Sequence, residues 1–270
     1  MEPTSPPARP KADACVFSVP FWNPTYEQFK AWWDWALDHA PCPQLLELAN
    51  PNTLNIAYKD REFMEVLRRA EVSVNDGVGI RIAFRMRGVR SRGNFAGTDL
   101  MPRLFDEAHR DVRVFFYGAT EQSNALAVEK ITARCPRVVL AGRINGFVDP
   151  VQDALPMIRE SGADVLMCAL GQPRQELFMD AHRDELNVKV MVTCGGMFDF
   201  FSETKARAPL FMRKTGTEWL YRLAIEPRRM FVRYVVGNPL FLWRAIVTRG
   251  SDIRCAEESS ENRRSTEAQS

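Results

Sequence analysis

Six short apolar runs, each followed by a turn rich in glycine, amide or carboxylate groups and then by an amphipathic stretch, constrain the fold of this chain more than any other feature. The runs are 45–49, 72–74, 112–117, 138–141, 165–170 and 188–193. They are short enough to be strands, and apolar residues fall on both faces, as in a sheet covered on both sides. The stretches 60–69, 99–109, 122–134, 151–160 and 174–185 carry apolar residues at helical spacing. Strands alternating with helices predict an α/β fold, a mostly parallel sheet with helices on both faces. Thr25 and Gln28 form a capping-box pattern opening a further helix that contains Trp32, Trp33 and Trp35. With 46% hydrophobic residues the chain can fill such a core.

Around Ser202 the pattern changes. Residues 205–254 hold eleven Lys or Arg against three acids, Glu218, Glu226 and Asp252, with large apolar residues such as Trp219, Phe231, Phe241 and Trp243 among them. This predicts a basic amphipathic helical appendage. The expected division is a disordered leader over 1–14, a catalytic core over 15–204, the appendage over 205–250 and a disordered tail over 251–270. The N-terminus has no apolar core of a signal peptide. No run reaches the roughly 18 apolar residues of a spanning helix. The net charge of +2 argues against a nucleic-acid partner. Six cysteines without a CxxC pair support neither a zinc site nor a disulfide framework, and suit a reducing cytoplasm.

Ligands of open parallel sheets gather beyond the carboxyl ends of the strands. That points to the loops 50–51, 75–79, 118–120, 145–149, 171–176 and 195–199. In the second of these, Asn75 and Asp76 precede Gly77 and Gly79 at the start of a helix. Asp76 is placed for a general base; the plain alternative is a helix-capping aspartate in a tight turn. Gly77 and Gly79 lack the third glycine of a dinucleotide fingerprint, since Ile82 or Ala83 stands near its place. Gln175 and Glu176, opening a helix after 165–170, offer an amide and a carboxylate near Asp76 if their strands are neighbours; the alternative is ordinary acid enrichment in a first turn. Gly195, Gly196 and Asp199, and separately Gly118, repeat the pattern of glycine after a strand. Arg222, Arg228, Arg229 and Arg233 suit either a diphosphate or a solvated basic face. The three histidines form no ligand set, and no Asp-x-Asp pair or Walker loop is present.

In this order the motifs resemble the WecG/TagA/CpsF family of bacterial glycosyltransferases. They are Ala49-Asn50-Pro51, Asn75-Asp76-Gly77-Val78-Gly79, Ala96-Gly97-Thr98-Asp99-Leu100, Gly146-Phe147, Leu170 through Glu176, Gly195 through Phe200, Arg207-Ala208-Pro209, Glu218 through Leu223, Glu226-Pro227-Arg228-Arg229 and Arg233-Tyr234. The resemblance implies a Rossmann-like core and inverting transfer from a UDP-sugar to a polyprenyl-pyrophosphate-linked saccharide, without metal or other cofactor. It also implies a C-terminal segment that docks on the inner face of the cell membrane and completes the active site. By resemblance Asp76 is the general base, Asn50 and Gln175 line the pocket, and Arg222, Arg229 and Arg233 hold the diphosphate. Asn75, Gly77, Thr98, Asp99, Gly118, Glu176, Gly195, Gly196 and Asp199 complete the candidate substrate-binding set.

Two positions depart from the family pattern: Leu48 stands where threonine is usual, and Asn94 where arginine is. They open the donor to sugars other than N-acetylmannosamine, including a glucose-type donor for an exopolysaccharide. The competing expectations are an inactive sugar-nucleotide or lipid-binding module and a nucleotide-dependent oxidoreductase. A homo-oligomer is left open.

Overall fold

The structure, a computed structural model, describes residues 12–252. It opens with a hairpin that the sequence reading missed, β1 (Ala14–Val16) against β2 (Val19–Phe21). Three residues per strand leave too short a window for alternation to register. Helix α1 (Tyr26–His39) follows, closed at its start by the Thr25–Gln28 capping box.

The core runs β3 (Gln44–Ala49), α2 (Pro51–Ala57), α3 (Arg61–Arg69), β4 (Val72–Asn75), α4 (Val78–Met86) and α5 (Gly97–Asp106). It continues through β5 (Val112–Gly118), α6 (Glu121–Arg134), β6 (Val138–Ile144), α7 (Leu155–Glu160), β7 (Val165–Ala169), α8 (Arg174–Ala181), β8 (Val190–Thr193) and α9 (Met197–Phe201). A π-helical turn, Pro150–Ala154, leads into α7. All six expected strands form, within a few residues, and pair in parallel in the order β4-β3-β8-β7-β5-β6.

The two-residue period of the strands divides the core. Leu46, Leu48, Val114, Phe116, Met167 and Val192 pack with α1, α5, α6 and α9 on one face. Leu45, Phe115, Tyr117, Leu166, Cys168 and Met191 pack with α7 and α8 on the other. Because β8 lies between β3 and β7, chain order reverses in mid-sheet. The carboxyl ends of β4, β3, β8 and β7 therefore surround one crevice.

The appendage consists of α10 (Leu210–Thr215), α11 (Glu218–Ile225), α12 (Pro227–Phe231), a π-helical turn Val232–Val236 and α13 (Gly237–Val247). It is clasped to the core rather than tethered. Arg207 grips Asp99 through both guanidinium nitrogens at 2.9 and 2.8 Å and reaches the Thr98 hydroxyl at 2.7 Å, and Arg213 adds a contact to Asp99 at 3.0 Å. Phe241 and Ala245 of α13 are buried beside the hairpin, α2 and α4.

Three expectations need correction here. Ala14, assigned to the leader, lies in β1 and is buried. Asp252, assigned to the tail, is fully buried, pairs with Arg87 and accepts from the Ser18 backbone amide at 2.6 Å. The rest of the expected leader and tail, 1–11 and 253–270, lies outside the described residues. Cys15 is disulfide-bonded, although the cysteine pattern supported no disulfide framework, while Cys42, Cys135, Cys168 and Cys194 are free.

Candidate active site

The crevice holds a cavity of about 470 Å³, within the range of small-molecule sites. Its core side is formed by Leu48, Asn50, Asp76, Gln172, Gln175, Gly195 and Gly196, and its outer side by Lys205, Glu218, Tyr221, Arg222, Arg229 and Arg233 of the appendage. A second cavity of about 290 Å³ adjoins it, lined by Gly77, Val78, Ile82, Asn94, Trp219, Tyr234 and Leu242 among others. Asn50, Asn52, Asp76, Ala96, Glu218, Arg222 and Arg233 border both.

Asp76 is where the two cavities meet. It follows β4 directly, and its backbone amide donates to Ala49 O at 2.8 Å, which holds it beside the end of β3. It does not cap the helix behind it: the N-cap of α4 is Gly77, at φ 95°, with no side-chain cap. Only glycine adopts that backbone freely, and it frees the carboxylate to face the cavities. Burial pushes the Asp76 pKa up to about 6, with Arg222 opposing, Glu218 adding, and Arg233 and a side-chain hydrogen bond from Asn50 opposing. A carboxylate so tuned is ionised at neutral pH yet far more basic than an ordinary aspartate.

The arginines differ in state. Arg222 pairs with Glu218 at 2.8 Å and lies over the Phe200 ring, 4.4 Å from its centroid. Arg233 is half-buried and makes no ion pair among the described residues; burial lowers its pKa. A guanidinium facing a cavity without a carboxylate partner is suited to receive an anionic ligand. Arg229 is exposed, pairs with Glu226 and lines the first cavity, whereas Arg228 is on the surface and lines neither. The π-helical turn carries Arg233 and Tyr234 to the cavity walls, and such turns recur at functional positions.

Five candidates from the sequence lie off the cavity linings. The side chain of Asn75 is buried and donates to Gly93 O at 3.1 Å. Asp99 is taken by Arg207 and Arg213, and Asp199 by Lys205 at 2.5 Å. Gly118 packs on Ala169, where a Cβ would lie 2.4 Å from backbone. Glu176 is fully buried beneath the site. Gln175 does reach the first cavity, although β8 and β3 separate its strand from β4. Its amide is committed to the protein: Oε1 accepts from Gly195 N at 2.9 Å, and Nε2 donates to Glu176 Oε1 at 2.8 Å.

Below lies a second and more deeply buried titratable group. Glu47 of β3 and Glu176 are both fully buried, with Thr193 beside Glu47 and Gln172 and Gln175 beside Glu176. Burial raises both, Glu47 far above the usual range with Glu176's charge adding, and Glu176 to about 7. The sequence reading missed Glu47 because it reads as a polar interruption in an apolar strand. It also missed Lys205, Glu218 and Tyr221, since only the folded appendage brings them over the crevice.

Among the described residues, no group of three or more His, Cys, Asp or Glu could hold a metal ion, and no helix is long and apolar enough to cross a membrane.

Comparison with known proteins gives one consistent result. The profile described as "Glycosyl transferase WecG/TagA/CpsF family" matches residues 14–254. A protein of Bacillus spizizenii strain W23 is 34% identical over 182 residues, 67% of this chain and 71% of that relative. One of Bacillus subtilis strain 168 is 32% identical over 186 residues, 68% and 73% of the two chains. One of Staphylococcus aureus strain MRSA252 is 28% identical over 198 residues, 73% and 77%. All three relatives are named N-acetylglucosaminyldiphosphoundecaprenol N-acetyl-beta-D-mannosaminyltransferase.

Proposed function

This chain belongs to the glycosyl transferase WecG/TagA/CpsF family and is a glycosyltransferase, and from that premise we propose that it moves a sugar, with inversion and without a metal, from a UDP-sugar onto a prenyl-diphosphate-linked saccharide for a cell-surface polymer. The relatives' names supply the acceptor class. The observation that carries the reading is Asp76: a half-buried carboxylate with pKa about 6, standing at a strand's carboxyl end between Arg222 and Arg233.

Asp76 takes the proton of an acceptor hydroxyl as that oxygen bonds to the anomeric carbon of the donor. The bond from the anomeric carbon to the diphosphate oxygen breaks on the opposite face, and UDP leaves with the electron pair. Arg222 and Arg233 stabilise the growing negative charge, a role worth several kcal/mol per well-placed donor. The first cavity suits the donor. It is polar at Asn50, Gln172 and Thr204, cationic at Lys205 and Arg229, and borders the backbone turn at Gly195 and Gly196. Leu48 gives its floor an apolar side chain where a threonine hydroxyl is the family's usual choice, which opens the donor to sugars other than the relatives' N-acetylmannosamine.

The appendage completes the site with Arg222, Arg229 and Arg233 while exposing Phe211, Phe231, Val232 and Trp243. That combination supports peripheral docking on the inner face of the membrane, where the acceptor lies.

The test is transfer from a panel of labelled UDP-sugars, including UDP-glucose and UDP-N-acetylmannosamine, to prenyl-diphosphate-linked N-acetylglucosamine, with EDTA present. One sugar transferred by the wild type and not by Asp76→Asn supports the reading. Donor binding with no transfer from any sugar overturns it in favour of a non-catalytic binding module. The oxidoreductase reading loses ground in the geometry: Gly79 serves packing, since a Cβ there would meet Pro51 Cγ at 2.2 Å.

A further inference from the structure

We infer that the second cavity is the berth of the acceptor's lipid, holding the isoprene units next to the diphosphate, so that donor and acceptor reach Asp76 through separate cavities. This rests on the transferase reading above. It adds a place and a set of residues for a substrate part that the reading leaves unplaced.

The two cavities have different chemistry. The first is lined chiefly by amides, hydroxyls, glycines and charged groups. The second carries Val78, Ile82, Trp219, Tyr234, Phe241 and Leu242 as a nearly continuous apolar wall. Trp219 and Tyr234 pack edge to face across it, ring centroids 6.1 Å apart. The wall offers a ligand apolar contact rather than hydrogen bonds. It is suited to a branched hydrocarbon.

Four arginines line the second cavity: Arg81 and Arg213 belong to it alone, and the other two lie at the end the cavities share. Arg222 and Arg233 border both, with Asp76 beside them. A ligand filling the second cavity thus meets Arg222 and Arg233 where it joins the first, and along the rest an apolar wall interrupted by Arg81, Asn94, Arg213 and Asn238. An allylic diphosphate has that polarity. With the diphosphate at the arginines, the saccharide it carries is directed to Asp76, whose proton transfer needs the acceptor hydroxyl within hydrogen-bond reach.

The outer surface continues the pattern. The segment that supplies Arg233, Tyr234, Phe241 and Leu242 also exposes Val232, Val235, Trp243, Ile246 and Val247 to solvent. A chain longer than the cavity would leave it beside an apolar surface. Asn94 borders the second cavity and not the first, so this departure from the family pattern concerns the acceptor, and Leu48 alone concerns the donor.

The test is calorimetric binding to the full-length protein of three probes: geranyl diphosphate, inorganic diphosphate and UDP. Ile82→Gln removes apolar wall at an exposed position of the second cavity, and Ala206→Trp fills the first at an exposed position of its own. Geranyl diphosphate should bind wild type roughly tenfold or more tightly than inorganic diphosphate, the gain reflecting buried hydrocarbon. Ile82→Gln should erase most of that gain and leave inorganic diphosphate and UDP unchanged. Ala206→Trp should weaken UDP and leave the gain intact. The assignment is overturned if geranyl diphosphate binds no better than inorganic diphosphate, if the gain survives Ile82→Gln, or if Ala206→Trp abolishes it. Because the readout is binding, loss of the gain in an enzyme that still transfers sugar sinks only the lipid berth. An intact gain without transfer sinks only the transferase reading.

Discussion

Asn50 divides its amide between two tasks: Oδ1 caps α2 by accepting from the backbone amides of Asn52 and Thr53, while the side chain also hydrogen-bonds Asp76 and favours its ionised form. Asn50→Ala should therefore act twice. Loss of the cap costs about 1 kcal/mol of stability. Loss of the hydrogen bond moves the Asp76 pKa upward, so the acidic limb of the kcat/KM–pH profile shifts to higher pH. Asn50→Asp keeps a capping oxygen but places a second negative charge beside Asp76, so it should shift the limb at least as far with less thermal destabilisation. Thermal melts and pH–rate profiles of the two variants check this. An unshifted limb in both would show that Asn50 serves only the helix.

Asp76→Asn should lower kcat by two to four orders of magnitude, the usual range for a lost general base. Stability should move the other way. A carboxyl whose folded pKa is raised contributes fully below its unfolded value, near 3.8, and that contribution is lost as pH rises through about 6. The asparagine variant does not titrate, so it should be more stable than wild type at pH 8, by about 1–3 kcal/mol. The difference should vanish below pH 4. Denaturant unfolding of both proteins at the two pH values measures it, and a wild type that is the more stable at pH 8 would refute the assignment of strain to Asp76.

Burial sets the sign of the Asp76 shift; the charged neighbours adjust its size and can be separated by mutation. Arg222 lowers its pKa and Glu218 raises it. Arg222→Ala should move the acidic limb to higher pH and cut kcat at least tenfold, because the charge on the leaving group loses a partner. Glu218→Gln should move the limb to lower pH. Opposite displacements in pH–rate profiles are the expected result, and displacement in one direction by both would contradict the geometry.

Much of the fold was legible because it rests on local patterns. The runs 45–49, 112–117 and 165–170 are apolar on both faces, and the structure places helices on both sides of them. Thr25 and Gln28 announced α1 through cap chemistry alone. The site was legible where a motif lies at a strand end, as at Asp76 and Asn50. It failed where a polar group near such an end is claimed by another element. Asp99 faces outward to Arg207 and Arg213, and Asp199 answers Lys205. Arg207 and Arg213 lie 108 and 114 residues from Asp99, a distance no local pattern encodes, while Lys205, six residues from Asp199, is brought back to it only by the turn after α9. Glu47 was invisible for the opposite reason: it lies within an apolar run, and a pattern of ligand groups in the loops after strands passes over it.

Glu47 and Glu176 make a separate pH prediction. Both are raised by burial, so their stabilising contribution is complete below about pH 4.5, the ordinary glutamate value, and is lost as pH rises through about 7 and beyond. Glu47→Gln removes one of two buried acids and should flatten the alkaline fall in stability, raising the melting temperature at pH 8.5 more than at pH 5. If the pair instead orients Gln175, and through it the Gly195 turn, Glu176→Gln should raise the donor KM with little change in kcat. Melting curves and donor titrations at the two pH values distinguish these roles.

Membrane docking can be tested at residues that border neither cavity. Phe231 and Trp243 are exposed, and exposed Arg228 and Arg249 accompany them. A basic, apolar surface of this kind should bind vesicles containing anionic lipid, each arginine near the surface adding about 1 kcal/mol at low salt. Binding should weaken as salt rises over a range that leaves the apolar contribution untouched. The double variant Phe231→Ser, Trp243→Ser should lower vesicle partitioning by roughly tenfold or more through lost apolar burial. Because both side chains stand apart from Asp76 and the arginines around it, turnover on a short-chain acceptor in solution should stay near wild type, while turnover on acceptor embedded in vesicles falls with the partitioning. Sedimentation with vesicles and the two assays side by side decide the matter. An equal loss on both acceptors would mean that these residues hold the appendage over the site rather than the protein on the bilayer.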